Sequence, residues 1–135
     1  MPLEVVSTGL RYLIVPVRVG ALETAKIDRD LTAWLGAIGA QFAVLFDPST
    51  PEIRHWNNDG ILEDVATGSA AGTIGAYALR YGLARAGEEF ILYQGRFTGR
   101  PSELRVTAHE GTVSVGGDVA FVGAGMLNAP PLPGR

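Results

Sequence analysis

Cysteine is absent from the 135 residues, which excludes disulfides, thiolate metal sites and any thiol that acts as nucleophile, acid or base. No block of basic residues interleaved with aromatic ones occurs, so nucleic acid is not an expected partner. No apolar run approaches the roughly 20 residues that a membrane-spanning helix needs, so no membrane partner is expected. Glu4 interrupts the N-terminal segment before a signal-peptide pattern can form, and we therefore expect a cytoplasmic protein.

The composition that remains is that of a globular domain. Hydrophobic residues make up 47% of the chain and the net charge is −3. A chain of this length buries about two thirds of the surface that its unfolded state exposes. We expect one domain over residues 1–127 and a flexible Pro/Gly-rich tail over residues 128–135. The two histidines, His55 and His109, are far apart in sequence and form no metal-binding motif.

The stretch Glu63–Gly72 (EDVATGSAAG) is the one around which the chain is organised. Two acids and a turn of small residues precede a segment that carries no charge until Arg80. This segment predicts a helix from Ser69 to Gly82 that is apolar on all sides, and such a helix is buried. Thr67 or Gly68 can cap its start.

Around this helix the sequence predicts mainly strands. A first helix with an apolar stripe that includes Trp34 is predicted at 28–38, and Trp34 is expected in the core. Short β-branched, aromatic or alternating runs bounded by turns predict the strands. The fold class is therefore α+β, with predicted strands at 3–6, 10–19, 41–46, 53–56, 90–93, 104–108, 112–115 and 119–122.

The N-terminus of the central helix is the candidate site. Its bare N–H groups and partial positive charge attract an anion, so Thr67, Gly68 and Ser69 form a candidate anion-binding turn. Asp64 stands just before this turn and is the candidate carboxylate for proton transfer. The alternatives are an ordinary helix cap, and an acid that only stabilises the helix dipole by about 0.3–1 kcal/mol.

Four other polar side chains are expected to have smaller roles or none. We expect Glu63 to be a solvated neighbour of Asp64. His55 is expected to be a hydrogen-bonded strand residue, with a role in the site as the alternative. Gln94 could face the site from the end of its strand, whereas His109 lies beside a predicted hairpin turn and is expected to be solvated.

At Glu63-Asp64-x-Ala66-Thr67-Gly68-Ser69-Ala70 the chain resembles the phenazine-biosynthesis PhzF-like family, which is related in fold to diaminopimelate epimerase. Other matching stretches occur in the same order: Ser7-Thr8-Gly9, Gln94-Gly95, Gly99-Arg100-Pro101-Ser102 and Val115-Gly116-Gly117. The resemblance implies a mixed or antiparallel sheet curled around a central buried helix. It covers only the family's C-terminal domain. The N-terminal domain, which carries an essential catalytic glutamate and a Gly-His motif, has no counterpart in these 135 residues.

By this resemblance, Asp64 matches an active-site carboxylate, and Gly68 and Ser69 match the turn that holds a substrate carboxylate. Val65 stands where the family often has proline, which removes a rigid turn residue but leaves the acid and the Gly-Ser pair in place. The segment 54–58 keeps the family's arginine but departs from its usual aromatic-x-Pro run. The implied chemistry is a cofactor-independent isomerisation, and without cysteine it would use carboxylates and not the thiols of related racemases.

The expected function is therefore one half of an isomerase that acts by acid/base proton transfer on a small carboxylate substrate. The half would be active only when a partner completes it, and the partner would be a second copy in a homodimer or a separate N-terminal-half chain. The alternative is a non-catalytic module that binds a small carboxylate, or a relic half-enzyme without activity.

Overall fold

The computed structural model describes residues 1–126 and residue 128. Across these residues one seven-stranded mixed sheet follows the order of the sequence. Neighbouring strands are antiparallel except for the parallel pairs β2–β3 and β4–β5. The strands are β1 (Glu4–Ser7), β2 (Arg11–Pro16), β3 (Phe42–Asp47), β4 (Glu52–His55), β5 (Glu89–Gln94), β6 (Ser102–His109) and β7 (Thr112–Gly116).

The sheet curls around one long helix. Helix α3 (Gly68–Arg80) packs against β1 and β2 at one end of the sheet and against β6 and β7 at the other. The shorter helices α1 (Ala21–Thr24) and α2 (Thr32–Ala37) and a 3₁₀ turn (Arg96–Thr98) lie in the connections. This arrangement confirms the α+β fold with a central buried helix. No helix in the described part of the chain is long and apolar enough to cross a membrane.

The core lies between α3 and the concave face of the sheet. Eight of the helix residues are buried, as the apolar pattern predicts. Two of the three glycines in the helix face side chains from the sheet and its loops: a Cβ at Gly72 would lie 2.8 Å from Thr8 Oγ1, and one at Gly75 would lie 2.7 Å from Val106 Cγ1. The core residues are Val6, Tyr12, Ile14, Val44, Phe46, Ile53, Ala70, Ala71, Ile74, Tyr77, Leu92, Leu104 and Val106.

Helix α2 differs from its prediction. It begins at Thr32 and not at residue 28, because the Asp30 carboxylate accepts the Thr32 N–H at 2.7 Å and sets the start of the helix there. Placing Trp34 in the core is wrong, since its side chain is 53% exposed. A helix of six residues buries only one turn of its stripe, and here Leu35 is the buried member. Trp34 instead lines a groove of about 360 Å³ on the outer face of the sheet.

The strand predicted at 119–122 is also wrong. Residues 117–126 pair with no strand in the described part of the chain, and Val119 and Val122 are 93% and 95% exposed. A β-branched composition favours extended backbone, but a strand also needs a neighbour to pair with. The predicted tail at 128–135 lies outside the described residues except for Asn128. The domain limit at residue 127 stays a prediction.

Candidate functional site

Helix α3 begins with backbone N–H groups that have no partner within the described residues. The first helical hydrogen bond runs from the Ala71 N–H to the Thr67 carbonyl at 3.0 Å, and no described group accepts from Gly68 or Ser69. The Thr67 side chain makes no capping bond. The positive end of a 13-residue helix is therefore open to an anion.

Thr67 does not cap the helix because its hydroxyl is engaged with Asp64. Thr67 Oγ1 donates to Asp64 Oδ2 at 2.7 Å. Gln94 Nε2 donates to Thr67 Oγ1 and to the Asp64 carbonyl, both at 2.9 Å, and Gln94 Oε1 accepts the Thr67 N–H at 2.9 Å. Gln94 is only 1% exposed. The acid and the start of the helix are thus held together by one buried amide at the end of β5.

A turn after β4 brings Asp64 to this place. The Asn57 N–H donates to the Leu62 carbonyl at 2.9 Å, and Trp56 and Glu63 form an antiparallel bridge. The Asp64 N–H donates to the His55 carbonyl at 2.9 Å. The motif therefore returns along the end of β4 before it enters α3, and its backbone is fixed by the sheet.

Glu63 is not the solvated neighbour that the sequence suggests. Its two carboxylate oxygens accept from Nε and Nη2 of Arg54, each at 2.7 Å, and both side chains are mostly buried. Arg54 also donates to the carbonyls of Leu22 and Ala25 and stacks on Trp56. The prediction failed because the partner comes from β4, nine residues away, and local sequence gives no sign of the pair. Glu63 anchors the motif and leaves Asp64 as its acid at the helix end.

Ser69 has a partner that sequence reasoning missed. Tyr12 Oη and Ser69 Oγ lie 2.8 Å apart, although 57 residues separate them in the chain. Burial raises the pKa of the Tyr12 phenol, and the charge of Asp64 adds to this, while the hydrogen bond to Ser69 acts in the opposite direction. Tyr12 is therefore a neutral phenol at physiological pH that can fix the orientation of the Ser69 hydroxyl.

An aromatic cluster lies at the same end of the sheet. The rings of Tyr12, Phe42 and His55 have centroids 5.4–5.7 Å apart, and His55 meets the other two edge-on. His55 Nδ1 lies 2.9 Å from the Ala43 carbonyl. This confirms that His55 is a buried, hydrogen-bonded strand residue. His109 is exposed, also as expected.

Gly68 is open on the side where a side chain would stand. A Cβ there would meet no atom within 4 Å, and its φ is not in the left-handed region. Gly95 behaves in the opposite way: its φ is +85°, and a Cβ would lie 2.2 Å from the Arg100 carbonyl. Glycine is thus required by the fold at position 95 but not at position 68, where the empty space lies at the start of the helix.

The structure therefore brings together Asp64, Thr67, Gly68 and Ser69 at one helix end. It adds Gln94, which sequence reasoning raised as a possibility, and Tyr12, which it did not consider. The sequence feature that could have indicated Tyr12 is its position as the second residue of the strand that follows the Ser7-Thr8-Gly9 turn. No group of three or more His, Asp or Glu side chains suited to a metal ion occurs among residues 1–126 and 128.

Comparisons with known proteins match this chain to proteins described as phenazine biosynthesis-like, as an isomerase and as an epimerase. The family model described as phenazine biosynthesis-like protein matches residues 1–125. An uncharacterised isomerase of Pasteurella multocida (strain Pm70) is 31% identical over 134 residues, which is 96% of this chain and 46% of that protein. The solved structure of a predicted epimerase from Pseudomonas aeruginosa superposes with a TM-score of 0.86 at 49% identity, covering 95% of this chain and 46% of that one. The chain thus spans about half the length of the relatives that it matches.

Proposed function

Because the chain belongs to the phenazine biosynthesis-like family, we propose that it is one half of a cofactor-independent isomerase acting on a small carboxylate-bearing substrate. Asp64 is the proton carrier, and the turn of Thr67, Gly68 and Ser69 holds the substrate carboxylate. The observation that carries this proposal is the bond of the Asp64 carboxylate to the Thr67 hydroxyl, directly before the N–H groups of Gly68 and Ser69, to which no described residue offers an acceptor. The cytoplasmic location expected from the sequence stays part of the proposal.

The chemistry needs a base that removes a proton from carbon and an acid that returns one elsewhere on the substrate. Asp64 would take the proton, and a second group would deliver one, so that the substrate is isomerised without net gain or loss of protons. A positioned carboxylate contributes about 10²–10⁴-fold to such a transfer. Glu63 is not that second group, because Arg54 binds both of its oxygens.

A partner therefore supplies the second acid in this proposal. The partner is a second copy of the chain, or a separate chain that corresponds to the N-terminal half. A two-fold dimer would place two Asp64 sites face to face. Light scattering should then give a mass of about twice the 14.3 kDa of the chain. A monomer that binds no N-terminal-half protein would contradict this part of the proposal.

The binding part is tested by titrating benzoate into ¹⁵N-labelled protein. We expect the amide resonances of Gly68 and Ser69 to shift most, because their N–H groups would bind the carboxylate. Gly68→Ala should weaken binding by filling the space in front of the turn. Gly36→Ala is the matched control, since a Cβ at Gly36 also meets nothing within 4 Å. Equal affinities for the two variants would remove the turn as the carboxylate site.

The catalytic part is tested by exchange of carbon-bound hydrogen in D₂O. A panel of small hydroxy and amino acids would be incubated with the assembled protein, and deuterium incorporation would be followed by mass spectrometry. Asp64→Asn should abolish any exchange while benzoate still binds. Unchanged exchange in Asp64→Asn would exclude Asp64 as the proton carrier.

The second candidate function is a non-catalytic module that binds a small carboxylate. It is favoured by the pairing of Glu63 with Arg54, which leaves the motif with one available acid. This function predicts that benzoate shifts the Gly68 and Ser69 resonances while no assembly of the protein exchanges hydrogen. Exchange that depends on Asp64 would exclude it.

A further inference from the structure

His55 lies directly across from Asp64 on the inner face of the sheet. Trp56 pairs with Glu63, and the Asp64 N–H donates to the His55 carbonyl, so the same register sets His55 opposite Asp64. Successive side chains of a strand point to opposite faces. Glu63 accordingly shares the outer face with its partner Arg54, and Asp64 shares the inner face with His55. Side chains opposed in this way have Cβ atoms about 4.5–5.5 Å apart.

One nitrogen of the His55 ring is held by the backbone. Nδ1 lies 2.9 Å from the Ala43 carbonyl, and a carbonyl only accepts, so this contact assigns the hydrogen to Nδ1. In the neutral ring Nε2 is then an acceptor.

The other nitrogen is open. No described residue bonds His55 Nε2, and none of the fully buried side-chain polar atoms in the described part of the chain lacks a partner. Nε2 therefore keeps accessible surface although the residue is only 7% exposed.

The ring cannot easily turn away from this position. Tyr12 and Phe42 pack against it with centroids 5.4 and 5.7 Å away. Tyr12 in turn bonds Ser69 Oγ at 2.8 Å, which links the cluster to the start of α3. His55 Nε2 is thus an acceptor on a ring that its neighbours hold in place, and Tyr12 connects that ring to the Ser69 hydroxyl.

We propose that His55 is a specificity-determining residue, whose Nε2 accepts a hydrogen bond from a hydroxyl or ammonium group of the carboxylate bound at Gly68 and Ser69. The proposal rests on the proposed carboxylate site. A ligand without such a donor would cover Nε2 and leave it unpaired, and a site built around a buried polar group discriminates against such ligands. One neutral hydrogen bond of this kind corresponds to about a three- to tenfold preference.

The test compares benzoate with its 2-, 3- and 4-hydroxy derivatives, since the aromatic cluster of Tyr12, Phe42 and His55 suits a flat ring. Dissociation constants come from the NMR titration of Gly68 and Ser69, and the ¹⁵N resonance of His55 Nε2 is followed in parallel. We expect one hydroxybenzoate to bind about three- to tenfold more tightly than benzoate and to shift the Nε2 resonance. His55→Phe keeps an aromatic ring and should abolish the preference while benzoate binding persists. His109→Phe, at an exposed site, is the control and should keep the preference.

The outcomes separate this inference from the proposed function. If benzoate shifts Gly68 and Ser69 but no hydroxyl isomer gains affinity or moves Nε2, the role of His55 is refuted and the carboxylate site stands. A preference for one hydroxybenzoate that survives in His55→Phe also refutes the role of His55 and leaves the carboxylate site standing. If no probe shifts Gly68 or Ser69, the carboxylate site itself is refuted, and the role of His55 falls with it. Should His55→Phe not fold, the Nε2 resonance of the unmodified protein decides alone.

Discussion

Gln94 Oε1 accepts the backbone N–H of Thr67 at 2.9 Å, so a side chain from β5 binds the residue that precedes the central helix. The same amide donates to the Asp64 carbonyl and to the Thr67 hydroxyl. It thereby satisfies polar groups that would otherwise be buried without partners at the junction of the motif and the helix. Gln94 is therefore expected to stabilise the fold as well as to position Asp64.

Replacing Gln94 by methionine tests this directly, because methionine has a similar shape but no amide. Each buried polar group left without a partner costs about 1–3 kcal/mol, and the Thr67 N–H and the Asp64 carbonyl both lose one. We expect the free energy of unfolding to fall by roughly 2–4 kcal/mol, measured by urea denaturation. Gln41→Met is the matched control, since Gln41 is exposed and accepts one bond, from the Arg11 N–H. An equal loss in the two variants would contradict the role of Gln94.

The ion pair of Arg54 and Glu63 gives a second prediction about the motif. Both side chains are mostly buried, with 10% and 14% exposed. Removing one partner of such a pair leaves an uncompensated charge and costs about 3–5 kcal/mol. Because Arg54 also donates to two carbonyls, we expect Glu63→Ala to lower the free energy of unfolding by about 3 kcal/mol, in chemical denaturation.

An exposed pair provides the comparison for Glu63→Ala. Arg85 and Glu88 lie 3.6 Å apart with side chains 84% and 63% exposed, and such surface pairs contribute little. Glu88→Ala should leave unfolding unchanged within error. The loss in Glu63→Ala should also persist at high salt, because buried pairs are screened much less than exposed ones. A loss that disappears in salt would mean that the pair is not buried in solution.

The central helix could be predicted because its signal is local. Small and apolar residues on every side of 69–79 leave no face for water, and the structure buries eight residues of the helix. The acid and the turn were predicted for the same reason, since they stand next to each other in sequence. Trp34 failed because a periodic stripe shows that a helix is amphipathic but not how many turns of it form.

The hydrogen-bond partners of the site could not be fixed from the sequence because they come from other strands: Gln94 was raised only as a possibility, and Tyr12 was not considered. Tyr12 reaches Ser69 across 57 residues, and Gln94 reaches Thr67 across 27. Such bonds depend on which strands lie beside the helix end, and a sequence pattern does not fix that order. The motif therefore indicated the position of the candidate site, and the sheet supplies the side chains that hold its backbone in place.

Tyr12 gives a prediction about alkaline pH. An unfolded tyrosine ionises with a pKa of about 10, whereas burial and then Asp64 raise the pKa of Tyr12 in the folded protein. The folded state then holds the proton at a pH where the unfolded state has lost it. Stability is therefore fully present below pH 10 and is lost as the pH rises towards the folded pKa.

Replacing Tyr12 by phenylalanine tests this. The two proteins are compared by the slope of stability against pH and not by absolute stability, because Tyr12→Phe also loses the bond to Ser69. Each such tyrosine contributes at most about 1.4 kcal/mol per pH unit. Burial also raises the pKa of Tyr77, so the unmodified protein should show both contributions. We expect Tyr12→Phe to lose less stability between pH 9 and 11, measured by denaturation at each pH. The same slope in both proteins would show that Tyr12 ionises freely in the folded state.

Gly75 and Gly68 lie in the same helix but should respond in opposite ways to alanine. A Cβ at Gly75 would lie 2.7 Å from Val106 Cγ1 and 2.8 Å from Val113 Cγ1, and overpacking of this kind costs about 1–3 kcal/mol. The gain in helix propensity, about 1 kcal/mol, offsets only part of that cost. We expect Gly75→Ala to lower the free energy of unfolding by roughly 0.5–2 kcal/mol. Gly68→Ala meets no neighbour and should leave stability unchanged or slightly raised.

A double variant identifies the cause of the loss at Gly75. Val113→Ala removes one of the two methyl contacts, so Gly75→Ala should cost less in that background than in the unmodified protein. The coupling is measured as a double-mutant cycle by urea denaturation. If the changes in the free energy of unfolding were simply additive, contact with Val113 would not cause the loss at Gly75. The close packing of the sheet against α3 would then have to be explained by something other than the missing side chain at Gly75.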